Sequence, residues 1–230
     1  MGVIGVVALQ GGFGAHARAV RDLGHHAIEV RTEADLTGLD GLILPGGEST
    51  AQLRLIDRHK LGSGLQAFAA SGRPILATCA GLILAARHVI SPEQRSFGWI
   101  DATVARNAWG RQVDSFEATA DVLSLSIADG APGSVFRSAN PLPAREVALS
   151  RMDAGPLSLV FIRAPRIVRT GSNVEILATL GGEPILVRQG NVTGATFHPE
   201  LTPDRRVHRA AFGDSSHAWE NGYERVIDAH

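Results

Sequence analysis

One cysteine stands in this chain of 230 residues, in the run Pro74-Ile75-Leu76-Ala77-Thr78-Cys79-Ala80-Gly81. A free cysteine often packs as a small hydrophobe. Here, though, a short apolar strand run ends at the thiol, and Leu82-Ile83-Leu84-Ala85-Ala86 beyond Gly81 reads as a buried helix. A nucleophile at such a corner is pushed out on a tight turn, with the backbone N–H groups that follow it facing the bond it attacks. The small neighbours Ala77, Ala80 and Gly81 suit that crowding.

A thiol needs a base, and Phe197-His198-Pro199-Glu200-Leu201 offers one. His198 can take the thiol proton and return it to a leaving amine, while Glu200 fixes the imidazole tautomer. An extended backbone across Pro199 would put residues i and i+2 on one face, which aligns the pair. Alone, the same three residues describe a strand-end histidine beside a solvated carboxylate. The other histidines compete poorly. His25 and His26 fall in a loop, His59 and His88 near helix ends, and His208 and His217 in a polar tail. His16 sits early in the first helix, where capping or core packing accounts for it. No H-E-x-x-H or C-x-x-C is present, so no metal site is expected.

Leu44-Pro45-Gly46-Gly47-Glu48-Ser49-Thr50 is a Gly-rich turn entering a helix, without the lysine of a phosphate-binding P-loop. Its backbone donors suit an oxyanion hole, and the N–H groups of Gly47 and Ala80 are the candidates. Ser49 or Thr50 as a plain helix N-cap is compatible with that role.

These groups must be positioned by alternating strands and helices. Val3 to Leu9, Ala27 to Val30, Gly41 to Leu44 and the run before Cys79 are apolar strands. Helical stretches lie between them at about Ala15 to Leu23, from Ser49 or Thr50 onward, and at Leu65 to Ala70. Strands this apolar predict an α/β fold with a mostly parallel central sheet covered by helices on both faces. Chemistry then gathers at the carboxyl ends of the strands, so Cys79 and Pro45-Gly46-Gly47 can share a crevice.

The second half changes character. Ser124–Ile127, Val147–Ser150 and Leu157–Ile162 have partial alternation, which predicts a smaller antiparallel β part. Asp129 to Arg145 reads as a surface excursion. Val174 to Leu180, Ile185 to Arg188 and Val192 to Phe197 are further strands, and a polar tail from about Asp204 carries one or two helices. Nothing splits the chain, so one domain over 1–230 is expected, with residues 213–230 as the polar C-terminal end.

A net charge of −1 with no basic stripe implies neither nucleic acid nor an anionic membrane as partner. One cysteine favours a reducing cytosol, and the apolar start lacks a basic leader and cleavage site. No run reaches the ~18 apolar residues of a membrane span. Asn191-Val192-Thr193 matches a glycosylation sequon, here a chance match.

Assembled, the residues resemble the class I, triad-type glutamine amidotransferases of flavodoxin-like fold. Within them they are most similar to the glutaminase subunits of pyridoxal 5′-phosphate synthase. The pattern runs through Ala8-Leu9-Gln10-Gly11, the 44–50 turn, Thr78-Cys79-Ala80-Gly81 and Val104-Ala105-Arg106-Asn107-Ala108-Trp109-Gly110-Arg111-Gln112. It continues through Ser115-Phe116-Glu117, Phe161-Ile162-Arg163-Ala164-Pro165 and Ala195-Thr196-Phe197-His198-Pro199-Glu200-Leu201-Thr202. The Cys and His-Pro-Glu elements are common to many class I amidotransferases, whereas the Arg106, Ser115 and Phe161 blocks are specific to this subfamily.

The resemblance implies that Cys79 attacks the side-chain amide of L-glutamine, with His198 as base then acid and Glu200 orienting it. It implies that Gly47, Glu48, Ser49, Arg106, Ile162 and Arg163 hold glutamine, with no cofactor. It also implies a partner, the synthase subunit, which receives the ammonia, with the loop at Gln10 and Gly11 near the interface and responsive to docking. An arginine suits such a pocket because its fork pairs with a carboxylate, although a structural ion pair would use the same residue. Ala77 stands where the pattern has glycine, Trp109 where it has phenylalanine, and Gly14-Ala15-His16 lacks an acidic residue before the histidine. The stretch 118–159 is longer than the pattern and is expected to hold a surface insertion. Two alternatives stay open at this point: another class I amidotransferase subunit, such as that serving imidazole glycerol phosphate synthesis, or a non-catalytic scaffold of the same fold.

Overall fold

The strand β1 (Val3–Val7) pairs in parallel with β2 (His26–Val30) on one side and β3 (Gly41–Leu44) on the other. The computed structural model to which these strands belong describes residues 1–106, 116–120 and 155–214. Next to β3 lies β4 (Ile75–Thr78), and next to β4 lies a strand from the far end of the chain, Val192–Ala195, both in parallel. That late strand is β12. Two antiparallel strands, β11 (Glu183–Gln189) and β10 (Glu175–Leu180), complete a seven-stranded sheet of order β10-β11-β12-β4-β3-β1-β2. Its parallel part follows the flavodoxin-like winding, whose ligands bind beyond the strand carboxyl ends.

Alternation along each buried strand explains why the runs are apolar throughout. Val7, Leu42, Leu44, Ile75 and Ala77 face one core, with α2 (Ser49–Arg58), α3 (Gly62–Ala70) and α4 (Ala80–Ala85) packed on it. Ile4, Val6, Ile43, Leu76 and Ala195 face the other, against α1 (Phe13–Asp22) and α5 (Arg206–Phe212). Both faces of the sheet are buried, so neither set of positions tolerates polar residues. The helix start assigned to Ser49 or Thr50 is capped instead by Glu48. Its carboxylate accepts the N–H groups of Thr50 at 2.9 Å and Ala51 at 2.7 Å, which the hydroxyl of Ser49, two atoms shorter and already inside the helix, would not reach.

A smaller sheet, β5 (Ala86–Ile90), β6 (Ile100–Ala105) and β9 (Arg166–Thr170), was not foreseen. The helical run from Leu82 stops at Ala85, and the β-branched and charged residues after it continue as β5. A two-stranded pair, β7 (Phe116–Ala120) with β8 (Leu157–Phe161), packs on the α1 and α5 side. The described ends of the expected insertion are therefore core strands, with Ala120, Leu157 and Leu159 buried. The strands read at 124–127 and 147–150, the excursion at 129–145, the specific block at 107–115 including Trp109, and most of the expected tail lie outside the described residues. Among the described residues, no helix is long and apolar enough to cross a membrane.

Candidate active site

Cys79 follows β4 directly and opens α4, with φ 49° and ψ −104°. A non-glycine residue held there stores on the order of 1–3 kcal/mol of backbone strain, so its surroundings must enforce it. They do so from two sides: Cys79 N–H donates to Ala195 O of β12 at 2.8 Å, and Ile83 N–H donates to Cys79 O at 3.2 Å. Gly81 has no alternative, since a methyl there would overlap the Leu44 carbonyl. Ala77 is fully buried among the α2–α4 core residues, and the turn forms with its methyl in place.

His198 leaves β12 with its N–H donating to Val160 O of β8 at 2.9 Å. Pro199 to Leu201 then form a 3-10 turn capped by His198. The expected extended geometry across Pro199 is thus replaced by a tight turn, and the pairing survives the change because the turn folds Glu200 back. Glu200 Oε1 lies 2.8 Å from His198 Nδ1, and the carboxylate is almost wholly enclosed. The thiol of Cys79 also acts on the imidazole and raises its pKa. Burial alone would lower the imidazole pKa, but its hydrogen bonds to Cys79 and Glu200 prevail and push it up to about 10. For Glu200 burial acts upward and is overcome by His16 and His198, leaving the carboxyl below its ordinary value.

The glycine turn after β3 closes over this group. A methyl on Gly46 would overlap His198 Cε1 and lie 3.4 Å from Cys79 Cβ, so Pro45-Gly46-Gly47 and the thiol do share one crevice. The turn is in turn gripped by the loop after β1. Gln10 Nε2 donates to Glu48 O at 2.8 Å, and Glu48 N–H donates to Gln10 Oε1 at 3.3 Å. Gly11, at φ 85°, packs so closely that a methyl would overlap Gly46 O, and Gly12 N–H donates to that same oxygen at 3.4 Å.

Beside the turn, Arg106 Nη2 donates to Thr50 Oγ1 at 2.9 Å and more weakly to Glu48 Oε1 at 3.4 Å. Burial raises the Glu48 carboxyl, but the two backbone N–H groups it caps and Arg106 bring it below its ordinary value. Ile162 carries its carbonyl to 4.0 Å from Cys79 Sγ, and the exposed Arg163 follows at φ 44°. The structure thus brings together Cys79, His198, Glu200, Gly47, Ala80, Glu48, Ser49, Arg106, Ile162, Arg163, Gln10 and Gly11 around the ends of β1, β3, β4 and β12.

Other residues here went unrecognised. Gln94 accepts from Ser49 Oγ at 3.1 Å and Thr50 Oγ1 at 3.2 Å, tying the β5–β6 connection to the start of α2. His208, assigned to a polar tail, is fully buried on α5 with Val207, Ala210, Ala211 and Phe212. It lies 2.9 Å from His16, which is equally buried. The spacing of His16 from Val20 on the inner face of α1 was the available signal. Asn191 of the sequon match is occupied in structure, its Nδ2 donating to Ala69 O at 3.1 Å and Arg73 O at 2.7 Å. Among the described residues, no three His, Cys, Asp or Glu side chains converge as metal ligands.

The sequence matches the model of the SNO glutamine amidotransferase family over residues 6–142 and 137–213. It is 44% identical over 207 residues to the pyridoxal 5′-phosphate synthase subunit PdxT of Shouchella clausii (strain KSM-K16), covering 90% of this chain and 92% of that protein. The subunit of the same name from Geobacillus thermodenitrificans (strain NG80-2) is 43% identical, with 90% and 91% covered. A solved structure described as a glutamine amidotransferase superposes with a TM-score of 0.73 at 41% identity, covering 90% of this chain and 96% of that one.

Proposed function

The chain belongs to the SNO glutamine amidotransferase family, and from that membership we propose a residue-level account of how it works. It is a glutaminase: it hydrolyses L-glutamine to L-glutamate and ammonia, as a subunit of a pyridoxal 5′-phosphate synthase whose synthase partner takes the ammonia. The observation that carries the assignment of roles is the strained Cys79 turn, backed by the His198–Glu200 pair and faced by the Gly46–Gly47 turn.

Cys79, paired with His198, attacks the side-chain amide carbon of glutamine as a thiolate. The carbonyl oxygen takes up negative charge, and the N–H groups of Gly47 and Ala80 are the donors to receive it. The imidazolium of His198 gives its proton to the departing nitrogen, the C–N bond breaks, and ammonia leaves a glutamyl thioester. Water then attacks the thioester while His198 takes a proton from it, and thiolate departure releases glutamate. Glu200 holds Nδ1 throughout, so the proton moves only at Nε2.

Glutamine is held by Gly47, Glu48, Ser49, Arg106, Ile162 and Arg163. Arg106 fits the α-carboxylate: its guanidinium is mostly enclosed, and among the described residues its Nε has no acceptor. Gln10 and Gly11 lie on the side where the synthase subunit docks, and they touch the oxyanion turn directly. The lone cysteine suits a reducing cytosol. The test is ammonia release from glutamine by the wild type and Cys79→Ala, with and without the cognate synthase. Release that needs Cys79 and rises on adding the synthase is expected, and undiminished release by Cys79→Ala would overturn the assignment.

A further inference from the structure

A second pair of histidines lies behind the triad, closed off from solvent. His16 Nε2 is 3.2 Å from Glu200 Oε2 and 3.1 Å from Thr78 Oγ1, and its Nδ1 is 2.9 Å from His208 Nε2. Both rings are fully buried. An ionised carboxylate only accepts, so His16 must carry its proton on Nε2. A neutral ring then leaves Nδ1 as an acceptor, which obliges His208 to donate from Nε2. His208 Nδ1 becomes a bare lone pair, and among the described residues it is indeed a buried atom without a hydrogen-bond partner. Only this direction of donors avoids setting two acceptors against each other at a close contact.

Both rings stay neutral at ordinary pH. Burial, opposed by Glu200 and assisted by His198 and Arg205, brings His16 down to about 4. Burial, then His16 and Arg205, holds His208 well below its usual value. The His16 N–H goes to Thr78 Oγ1, and Glu200 Oε2, though 3.2 Å away, has no aligned donor among the described residues. Meanwhile Glu200 Oε1 is committed to His198, and Gly12 at the start of α1 leaves no room beside it, since a methyl there would sit 2.9 Å from that oxygen. A carboxylate anchored through one oxygen can still rotate about its last bond; a polar contact on the second oxygen stops it.

We propose that His16 is a positioning residue of the glutaminase. With its tautomer fixed by His208, it keeps a protonated Nε2 3.2 Å from the Glu200 oxygen that His198 leaves free, and so steadies the carboxylate plane that aligns His198 with Cys79. It touches neither substrate nor reacting atoms. This reading rests on the triad assignment above and extends it to α1 and α5.

The test measures kcat and KM for glutamine with the synthase present, together with the pH midpoint for alkylation of Cys79 by iodoacetamide. The variants are His16→Leu, His16→Gln and Thr78→Val, with Cys79→Ala as the control. His16→Leu is expected to lower kcat about 10- to 100-fold, the range for losing a group that orients an active-site ligand. Its KM should stay within about twofold, since ground-state binding is untouched, and its alkylation midpoint should rise. His16→Gln keeps an N–H near Nε2 and restores most of kcat. Thr78→Val removes the competing acceptor, so its midpoint moves down, and that arm decides the matter even if His16→Leu does not fold.

Equal losses in His16→Leu and His16→Gln, or a Thr78→Val midpoint that stays or rises, would overturn the proposal. So would a folded His16→Leu with wild-type kcat and midpoint. If wild-type activity proves independent of Cys79, the triad assignment itself falls, and the role of His16 with it.

Discussion

Gln10 holds the backbone of Glu48 from both directions, donating to its carbonyl at 2.8 Å and accepting its N–H at 3.3 Å. One side chain on the β1 loop thereby sets the peptide next to Gly47, the proposed oxyanion donor. Gln10→Ala should leave folding almost unchanged and lower synthase-stimulated kcat by about tenfold, from two hydrogen bonds of ~1 kcal/mol each imperfectly replaced by water. Steady-state ammonia release beside a melting curve measures both. Unchanged kcat would detach Gln10 from the oxyanion turn.

Glu200→Gln keeps the shape of the triad member but presents an amide to His198 Nδ1. Loss of the charge and of the enforced tautomer should reduce kcat on the order of 10²–10⁴-fold. Single-turnover release of ammonia reports it, and a loss smaller than about threefold would demote Glu200 to packing.

Stability should depend on pH at both ends. The raised His198 pKa stabilises the fold fully below about 6.5, the unfolded value, and that contribution is lost as pH climbs through about 10. His16 runs the other way. Between pH 6.5 and about 4 the unfolded chain binds a proton that the folded one refuses, so stability falls as pH falls across that window. The shift corresponds to about 3 kcal/mol at full extent. Denaturant unfolding from pH 4 to 10 should show both limbs, and His16→Leu should make the acid one shallower, with His208 still contributing to it. An unchanged acid limb in that variant would mean the ring is protonated when folded.

Gly46→Ala places a methyl into His198 Cε1 and against Cys79 Cβ. The neighbour is the proposed catalytic pair itself, so the imidazole must give way. Activity should fall at least about 100-fold, in line with ~1 Å misplacement of reacting groups, while the loss in melting free energy stays within the ~1–3 kcal/mol of overpacking. A fully active variant would show that His198 does not work from this position.

Arg106→Ala should raise KM for glutamine about 10- to 100-fold, matching the ~1.5–3 kcal/mol of a hydrogen bond to a charged group. Arg106→Lys should recover little, because the fork rather than the charge meets the α-carboxylate. Equal KM values for the arginine and lysine forms would point to a purely structural ion pair with Glu48.

The parallel half of the fold and its site were legible because local chemistry and burial agree there. Continuous apolar strands, Gly46-Gly47, and a small-residue corner at Cys79 each permit few conformations. What escaped notice depended on distant partners. Val207 to Phe212 look unremarkable until β1 and β3 supply the face they cover. His208 looks like a surface residue until His16, from the other end of the chain, lies beside it. Strands β5 and β9 are short and half exposed, so their alternation is diluted by Arg87, His88, Val168 and Arg169. His198 and Glu200 were paired correctly but for another reason: a 3-10 turn, not an extended segment, brings them together.

The placement of β12 between β4 and β11 has a consequence for biosynthesis. Cys79 takes its backbone anchor from Ala195, and its base and carboxylate follow that strand. During translation Cys79, the proposed nucleophile, therefore emerges from the ribosome long before the residues proposed to activate it or the strand that holds its turn in shape. An unfinished chain carries an ordinary thiol on an unformed corner and releases no ammonia. The proposed site is thus assembled only when β12 slots in beside β4, late in the order in which the ribosome delivers its parts.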